Sequence, residues 1–259
     1  MAAPPVHTVL DAMIACGVDN NAVYDGDTAA ERLSTDLFDE DYVSVMDKTW
    51  DELDNDFKSY TDLTQLQGQI RLLPGVKRNL KGFIQWVRDE FRLGRNPENT
   101  AFPVAETPVL IRRHKTHKQY VAKSKTIAEA AKPEKFTLKT KWDDWNPSFQ
   151  NFLRSIPGKD GVPLKYICRA NDMPDPTPHV DFLDDYIAMA PLTGEAFAVD
   201  SAEVHTYLVN FIAGNTTAES KIQTHANEFN GRLDFQALQE HFEGVGINPV
   251  DIVKADKAL

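Results

Sequence analysis

The sequence has few cysteines and no long apolar run. Its two cysteines, Cys16 and Cys168, lie far apart, and neither has a second cysteine at metal-ligand spacing. A disulfide framework or a zinc finger is therefore not encoded. No apolar run approaches the roughly 18 residues of a membrane helix, and the first residues lack the basic and apolar regions of a signal peptide. We expect a cytoplasmic protein that does not contact a membrane.

Motifs for phosphate binding and nucleophilic catalysis are also missing. Gly158-Lys159-Asp160-Gly161 lacks the Ser or Thr that follows a Walker loop, and there is no Gly-x-Ser-x-Gly elbow. The acidic pair Asp184-Asp185 is typical of a solvated helix face as well as of a metal site. We predict no catalytic residue, no cofactor, no metal and no small-molecule substrate, and a metal-dependent enzyme is only our third interpretation.

The charge that is present is sorted into three blocks. Residues 1–70 carry 15 acidic and 3 basic side chains, residues 71–141 carry 6 and 17, and residues 142–259 carry 18 and 8, for a net charge of −11. A basic block between acidic ones either contacts a polyanion or attracts its own neighbours. The candidate nucleic-acid contacts are Arg112, Arg113, Lys115, Lys118, Lys123 and Lys125. The alternative for the same residues is a solvated linker.

Helical periodicity accounts for most of the chain. The clearest start signal is Thr49 with Glu52 three residues later, a capping box followed by apolar Leu53, Phe57 and Tyr60. Strand-like alternation appears nowhere over more than four residues, so the predicted class is all-α. Helices are predicted at 49–60, 76–93, 120–131, 146–156, 177–190, 200–211, 216–228, 233–242 and 249–257.

Two helical domains are predicted, at residues 1–105 and 136–259. Residues 94–118 show little periodicity and contain Pro97, Pro103 and a run of bases. We therefore predict a basic, proline-containing linker at 106–135, with a polar helix in its second half.

Two stretches carry a family resemblance. The first is NPSFQNFLR at 146–154, continued by GKDGVPLKYICR at 158–169, and the second is NGRLDFQALQEHFEG at 230–244. In this order they resemble the Gag-like region of copia-type LTR retrotransposons of microalgae, whose later block reads GR…F.AL..H(F/Y).G. Residues 54–60 and 69–77 are similar to the helical region that precedes it in such elements.

The resemblance implies a non-enzymatic structural protein that forms homo-oligomers and holds RNA. Gag polyproteins commonly continue into a Cys-x-x-Cys…His…Cys knuckle, a pattern that Cys16 and Cys168 do not form. The capsid-like region is expected to be incomplete at its C-terminus. The RNA contact expected here is therefore weak and non-specific, to single strands and through the basic linker. The alternative is a cellular adaptor or DNA-binding module built on the N-terminal domain.

Packing or assembly roles are predicted for Trp142, Trp145, Phe149, Phe152, Arg232, Phe235 and Phe242. Asn230-Gly231 is expected to end one helix in a left-handed turn, with Asp234 capping the next helix. Arg232 is expected to pair with an acid on a neighbouring helix. Asn146 is expected to cap a helix that begins at Pro147.

Overall fold

The computed structural model describes residues 7–21, 23–24, 26–67, 73–223 and 228–243. Eleven α-helices cover most of these residues, and the only strands among them are the short antiparallel pair β1 (Val23–Tyr24) and β2 (Asp27–Thr28). The predicted all-α class is thus confirmed. No helix within the described ranges is long and apolar enough to cross a membrane. The helix predicted at 249–257 lies outside them.

The chain divides into two compact units, Met1–Lys118 and Gln119–Leu259. The first unit contains α1 (Val9–Ala15), α2 (Ala29–Phe38), α3 (Tyr42–Asp47), α4 (Trp50–Gln67), α5 (Pro74–Arg92) and the first part of α6 (Thr107–Ala131). The second contains the rest of α6 with α7 (Trp142–Arg154), α8 (Phe182–Met189), α9 (Gly194–Ile212), α10 (Thr216–Ile222) and α11 (Gly231–Glu243).

The first unit is built around α5, whose apolar stripe is its most regular sequence feature. Leu80, Phe83, Ile84 and Val87 are fully buried, as the helical spacing predicts. The ring of Phe83 lies edge-on to Phe38, with 6.1 Å between centroids. The helix ends before Gly94, whose φ of 67° is the left-handed conformation that favours glycine.

Capping boxes start three helices of the first unit. The hydroxyls of Thr8, Thr28 and Thr49 each accept a hydrogen bond from the backbone N–H three residues later. The carboxylate of that later residue accepts a hydrogen bond from the backbone N–H of the threonine. The box predicted at Thr49 is therefore confirmed, with Leu53 and Phe57 buried below it. The side chain of Tyr60 lies outside the described part.

Residues 107–118, predicted as part of a linker, are helical. One α-helix, α6, runs from Thr107 to Ala131, so the helix predicted at 120–131 begins more than ten residues earlier. Its buried side in the first unit includes Thr107 and His117 beside Leu110. Because two of these three side chains are polar, the sequence shows no apolar stripe there.

Several helix boundaries in the second unit differ from the prediction. Helix α7 begins at Trp142, with Lys141 at its N-cap and Pro147 inside it, so Asn146 is not the cap. Helix α8 begins at Phe182 after the cap Asp181, and residues 177–180 before it are not helical. Helix α9 begins at Gly194, six residues before the predicted start.

Candidate functional site

Five of the six predicted nucleic-acid contacts are exposed on α6. In the first unit Arg112, Lys115 and Lys118 are exposed at three-residue intervals, which places them within roughly 120° of the helix circumference. In the second unit Lys123 and Lys125 are also exposed. Five positive charges on one helix are the kind of feature that contacts a phosphate backbone.

The sixth predicted contact, Arg113, is turned inward. Its Nη1 lies 3.7 Å from Oδ2 of Asp89, a residue of α5 that is only 2% exposed. Arg92 of α5 lies 3.5 Å from the other oxygen of the same carboxylate. Arg113 therefore balances a buried acid, and it is less available to a ligand than the other five bases.

On the packing side of α6, His114 is held between an aromatic ring and an amide. Its ring stacks on Trp50 with 3.6 Å between centroids and an interplanar angle of 11°. Nδ1 of His114 lies 3.0 Å from Oε1 of Gln85, whose Nε2 donates to Oδ1 of Asp89 at 2.6 Å. Because Oε1 of Gln85 accepts this hydrogen bond, Nδ1 of His114 carries the proton.

Burial and nearby cations keep that histidine neutral. Desolvation first, then the charges of Arg88 and Lys118, lower the pKa of His114 to about 4. A neutral ring can stack face to face on Trp50 without losing hydration of a charge. His114 therefore anchors α6 in the first unit and does not add to its exposed positive charge.

In the second unit, α6 borders a groove of about 610 Å³. Three exposed lysines line it, Lys125, Lys132 and Lys135. Phe152 and Tyr207 form part of its apolar wall, with the two rings edge to face at 5.1 Å. The groove was not predicted from the sequence, where Lys125 and Phe152 have separate roles, because its lysines and its aromatic residues come from segments far apart in the chain.

The predicted packing aromatics form one connected cluster in the second unit. Trp142, Trp145, Phe149, Phe152 and Phe235 are buried, and Phe242 is half-buried. The indole N–H groups also have partners: Nε1 of Trp142 donates to Oε1 of Glu243 at 2.9 Å, and that of Trp145 donates to the carbonyl of Glu134 at 2.9 Å. Their predicted role in assembly stays a prediction.

Arg232 is buried, and its guanidinium binds a loop. Nη1 donates to the carbonyl oxygens of Ile167 and Arg169 at 2.8 Å each, and Nη2 binds the carboxylate of Asp172. Asp172 lies outside any helix, so the partner is not on a neighbouring helix as predicted. The contacts of Arg232 tie α11 to the 3-10 turn at Leu164–Cys168.

The start of α11 differs from the predicted turn. Asn230 is the capping residue, since its Oδ1 accepts from the N–H of Leu233 at 3.1 Å. The left-handed residue is Phe229, with φ of 48°, and not Gly231. Gly231 is needed for close packing, because a Cβ there would lie 2.5 Å from backbone atoms of α9. Asp234 is buried inside the helix.

Two sets of buried polar contacts in the second unit were not predicted from the sequence. Nδ1 of His205 lies 2.5 Å from Oδ2 of Asp234. Asp200 accepts hydrogen bonds from the N–H of Lys159 at 2.7 Å and from the hydroxyl of Tyr166 at 3.0 Å. Burial raises the pKa of Asp200 and of Tyr166. These partners are at least 29 residues apart, so no local motif shows them.

The residues considered for enzymatic chemistry serve other contacts. Nε of Arg154 lies 3.0 Å from Asp184, and Asp185 accepts from the backbone N–H of His179 at 2.7 Å. Among the described residues, no three His, Cys, Asp or Glu side chains are grouped as a metal site. Burial raises the pKa of both Cys16 and Cys168, which keeps them as unreactive thiols.

The exposed bases of α6 and the lysine-lined groove of the second unit are thus the two features with ligand-binding chemistry in the described residues. Both favour an anion. No protein-family model matches this chain, and the comparisons with curated proteins and with solved structures found no match.

Proposed function

We propose that this chain is a non-enzymatic, self-associating structural protein of the Gag type that acts in the cytoplasm. It contacts single-stranded RNA weakly and without sequence preference through the exposed bases of α6. The observation that carries the RNA contact is the arrangement of Arg112, Lys115 and Lys118 on the solvent side of α6. Exposed bases that are close together on a helix can neutralise several phosphates of one strand.

The separation of roles within α6 supports this proposal. His114 and Arg113 are used inside the first unit, on Trp50 and Asp89. Arg112, Lys115 and Lys118 are exposed and form no ion pair within the described part of the chain, so their charge is available to a ligand. A linker that serves only solubility would not need one base paired with a buried acid and three others exposed to solvent.

Self-association draws its support from the resemblance to Gag and from exposed apolar side chains. In the second unit Leu138, Met173 and Phe229 are each more than half exposed. Side chains of this kind can be buried in a contact between protein copies.

A salt titration tests the RNA contact. Binding of a labelled single-stranded oligoadenylate is measured by fluorescence anisotropy for the wild type and for the triple variant Arg112→Gln, Lys115→Gln and Lys118→Gln. Because each lost phosphate contact removes about 0.7 from the slope of log affinity against log salt, we expect the slope to flatten by about 2.

The matched control changes one arginine and two lysines that are exposed elsewhere: Lys58→Gln, Arg78→Gln and Lys139→Gln. An equal loss in both triple variants would mean that only total charge matters, and the assignment to α6 would be wrong. Tight, sequence-selective binding to duplex DNA would instead favour the adaptor or DNA-binding alternative.

Self-association is tested by sedimentation velocity at tens of micromolar protein over a range of salt concentrations. The proposal predicts species larger than the monomer whose share grows with protein concentration. A strict monomer under every condition would contradict this half of the proposal. A stable complex with a different cellular protein in pull-downs would again favour the adaptor.

A further inference from the structure

The groove in the second unit has the size and lining of a ligand site. Its volume of about 610 Å³ lies within the range of roughly 300–1,000 Å³ that small-molecule and cofactor sites occupy. All of its lining residues belong to the second unit, from Ser124 on α6 to Phe211 on α9. The site therefore does not depend on how the two units are arranged.

The charge of the groove is positive although the unit that contains it is acidic. Lys125, Lys132 and Lys135 are exposed at its rim, and among the described residues Glu129 is the one acid that lines it. A local excess of positive charge on an acidic body concentrates anions at that place. Ammonium groups on flexible stems bind phosphate as point charges, without demanding one geometry.

The wall of the groove is aromatic. Phe152 and Phe211 are buried, and their rings meet at 5.4 Å between centroids. Tyr207 is half-buried against Phe152, and its hydroxyl donates to Oε1 of Glu203 at 2.9 Å. Since the hydroxyl is held, the ring of Tyr207 is fixed in place and loses little entropy when a flat ligand packs on it.

We infer that this groove holds one nucleotide of a single-stranded RNA, an inference that rests on the RNA contact proposed above. Lys132 and Lys135, together with Lys125 of α6, neutralise its phosphates, and the base packs on the aromatic wall at Tyr207. Charged rims beside aromatic rings bind single strands irrespective of sequence, because every base has a flat face to stack. The exposed amide of Asn210 lies at the same groove for polar contacts.

An acidic protein segment is the other occupant that three lysines attract. Its carboxylates would pair with the lysines, but it would place no planar group against the aromatic wall. A nucleotide uses both features, and for this reason the lining favours RNA.

The charge half of the inference is tested with the full chain and the labelled oligoadenylate. The double variant Lys132→Gln and Lys135→Gln is compared with Lys139→Gln and Lys141→Gln, which removes two exposed lysines of the same unit outside the groove. We expect the groove variant to flatten the salt slope by about 1.4, twice the value per phosphate contact. The control is expected to change it little.

The stacking half is tested at Tyr207. The variant Tyr207→Leu is expected to weaken RNA binding at least about fivefold, the smallest effect of losing one base–aromatic stack. Tyr207→Phe keeps the ring and loses only the hydrogen bond to Glu203, so it is expected to bind RNA more tightly than Tyr207→Leu. Circular dichroism and the melting temperature of each variant show whether it is folded, and an unfolded Tyr207→Leu leaves the lysine variants as the deciding comparison.

The failures of the two proposals are distinguishable. If the wild type does not bind the oligoadenylate at any salt concentration, the RNA contact itself is wrong. If the wild type binds but the groove variants match their controls, only the groove inference is overturned. If the groove variants bind RNA normally and lose self-association in sedimentation, the occupant is an acidic segment of another copy, and the inference is likewise wrong.

Discussion

At the residue scale, single atoms decide how closely α9 and α11 approach each other. Gly231 at the start of α11 has the backbone nitrogen of His205 and the carbonyl oxygen of Ser201 where a Cβ would be, at 2.5 Å from each. A side-chain neighbour could rotate away, but backbone atoms of a helix move only with the helix itself. Gly231 is required because a side chain would not fit there, whereas Gly94 is required because its φ is positive.

The variant Gly231→Ala is therefore expected to destabilise the protein by about 1–3 kcal/mol, the usual effect of overpacking a core. The measurement is the free energy of unfolding in urea. The control is Gly75→Ala at the start of α5, where a Cβ meets open space; it is expected to be neutral or to stabilise by less than about 1 kcal/mol. Equal effects of the two variants would contradict the packing role of Gly231.

The low pKa of His114 has a consequence for stability against acid. Since its pKa is about 4 in the folded protein and near 6.5 when unfolded, the unfolded chain binds the extra proton first. The stabilisation is present above pH 6.5 and is lost as the pH falls towards 4. Because the ring is only half-buried, we expect a loss of about 1 kcal/mol and not the full value of the shift.

The test compares thermal melting at pH 7 and pH 5 for the wild type and His114→Gln. The variant has no ring to protonate, so its melting temperature is expected to fall less between the two pH values. His179→Gln, at an exposed histidine of the second unit, is the control and is expected to behave like the wild type. Parallel behaviour of all three proteins would rule out this contribution of His114.

At the element scale, α6 divides its bases between structure and solvent. Arg112 and Arg113 are neighbours in sequence, yet a rotation of about 100° per residue places them on different sides of the helix. Arg112 is exposed, and Arg113 pairs with buried Asp89. The same residue type at adjacent positions therefore has two different tasks.

The single variants Arg112→Gln and Arg113→Gln separate these tasks. We expect Arg112→Gln to flatten the RNA salt slope by about 0.7 and to leave stability unchanged. Arg113→Gln is expected to lower the free energy of unfolding by about 0.5–1 kcal/mol, since it leaves a buried carboxylate with less balancing charge. Anisotropy titrations and urea unfolding measure the two effects. Reversed effects would show that the inner and outer bases are misassigned.

At the scale of the whole molecule, net charge opposes both proposed activities at low salt. Counting from the sequence, the first unit carries −5 and the second −6 of the total −11. Copies of an acidic protein repel each other, and an acidic body repels RNA everywhere except at its basic surfaces. For this reason the proposed RNA contact is restricted to α6 and the groove.

Self-association and RNA binding are therefore expected to respond to salt in opposite directions. Raising the salt from about 0.1 M to about 1 M shortens the Debye length from about 10 to about 3 Å. This screens the repulsion between copies, so sedimentation is expected to show larger species, while anisotropy is expected to show weaker RNA binding. If both weakened together, the contacts between copies would be electrostatic and not apolar.

Much of the fold follows from local sequence signals. The helix class, the box at Thr49 and the buried stripe of α5 were all predictable, because caps and apolar spacing act within a few residues. The early start of α6 was not, since its buried side in the first unit includes Thr107 and His117. Their burial depends on segments distant in the chain, as the packing of the Thr107 side chain against Gly82 of α5 shows.

The candidate site shows the same division. Exposed lysines and arginines of α6 could be named from the sequence, because charge is a property of each residue by itself. The pairing of Arg113 with Asp89 and the groove beside Tyr207 depend on residues far apart in the chain. No pattern within one segment carries that information.

The amino-acid sequence by itself determined the all-α class, the capping box at Thr49 and the sorting of charge into blocks. These depend on hydrogen bonds and periodicity within one or two helical turns. Only the tertiary structure decided which bases face solvent, which acids are neutralised inside, and where lysines and aromatic rings share a groove. Burial and close packing are set by groups that meet from distant parts of the chain, and they change what the same side chain can do.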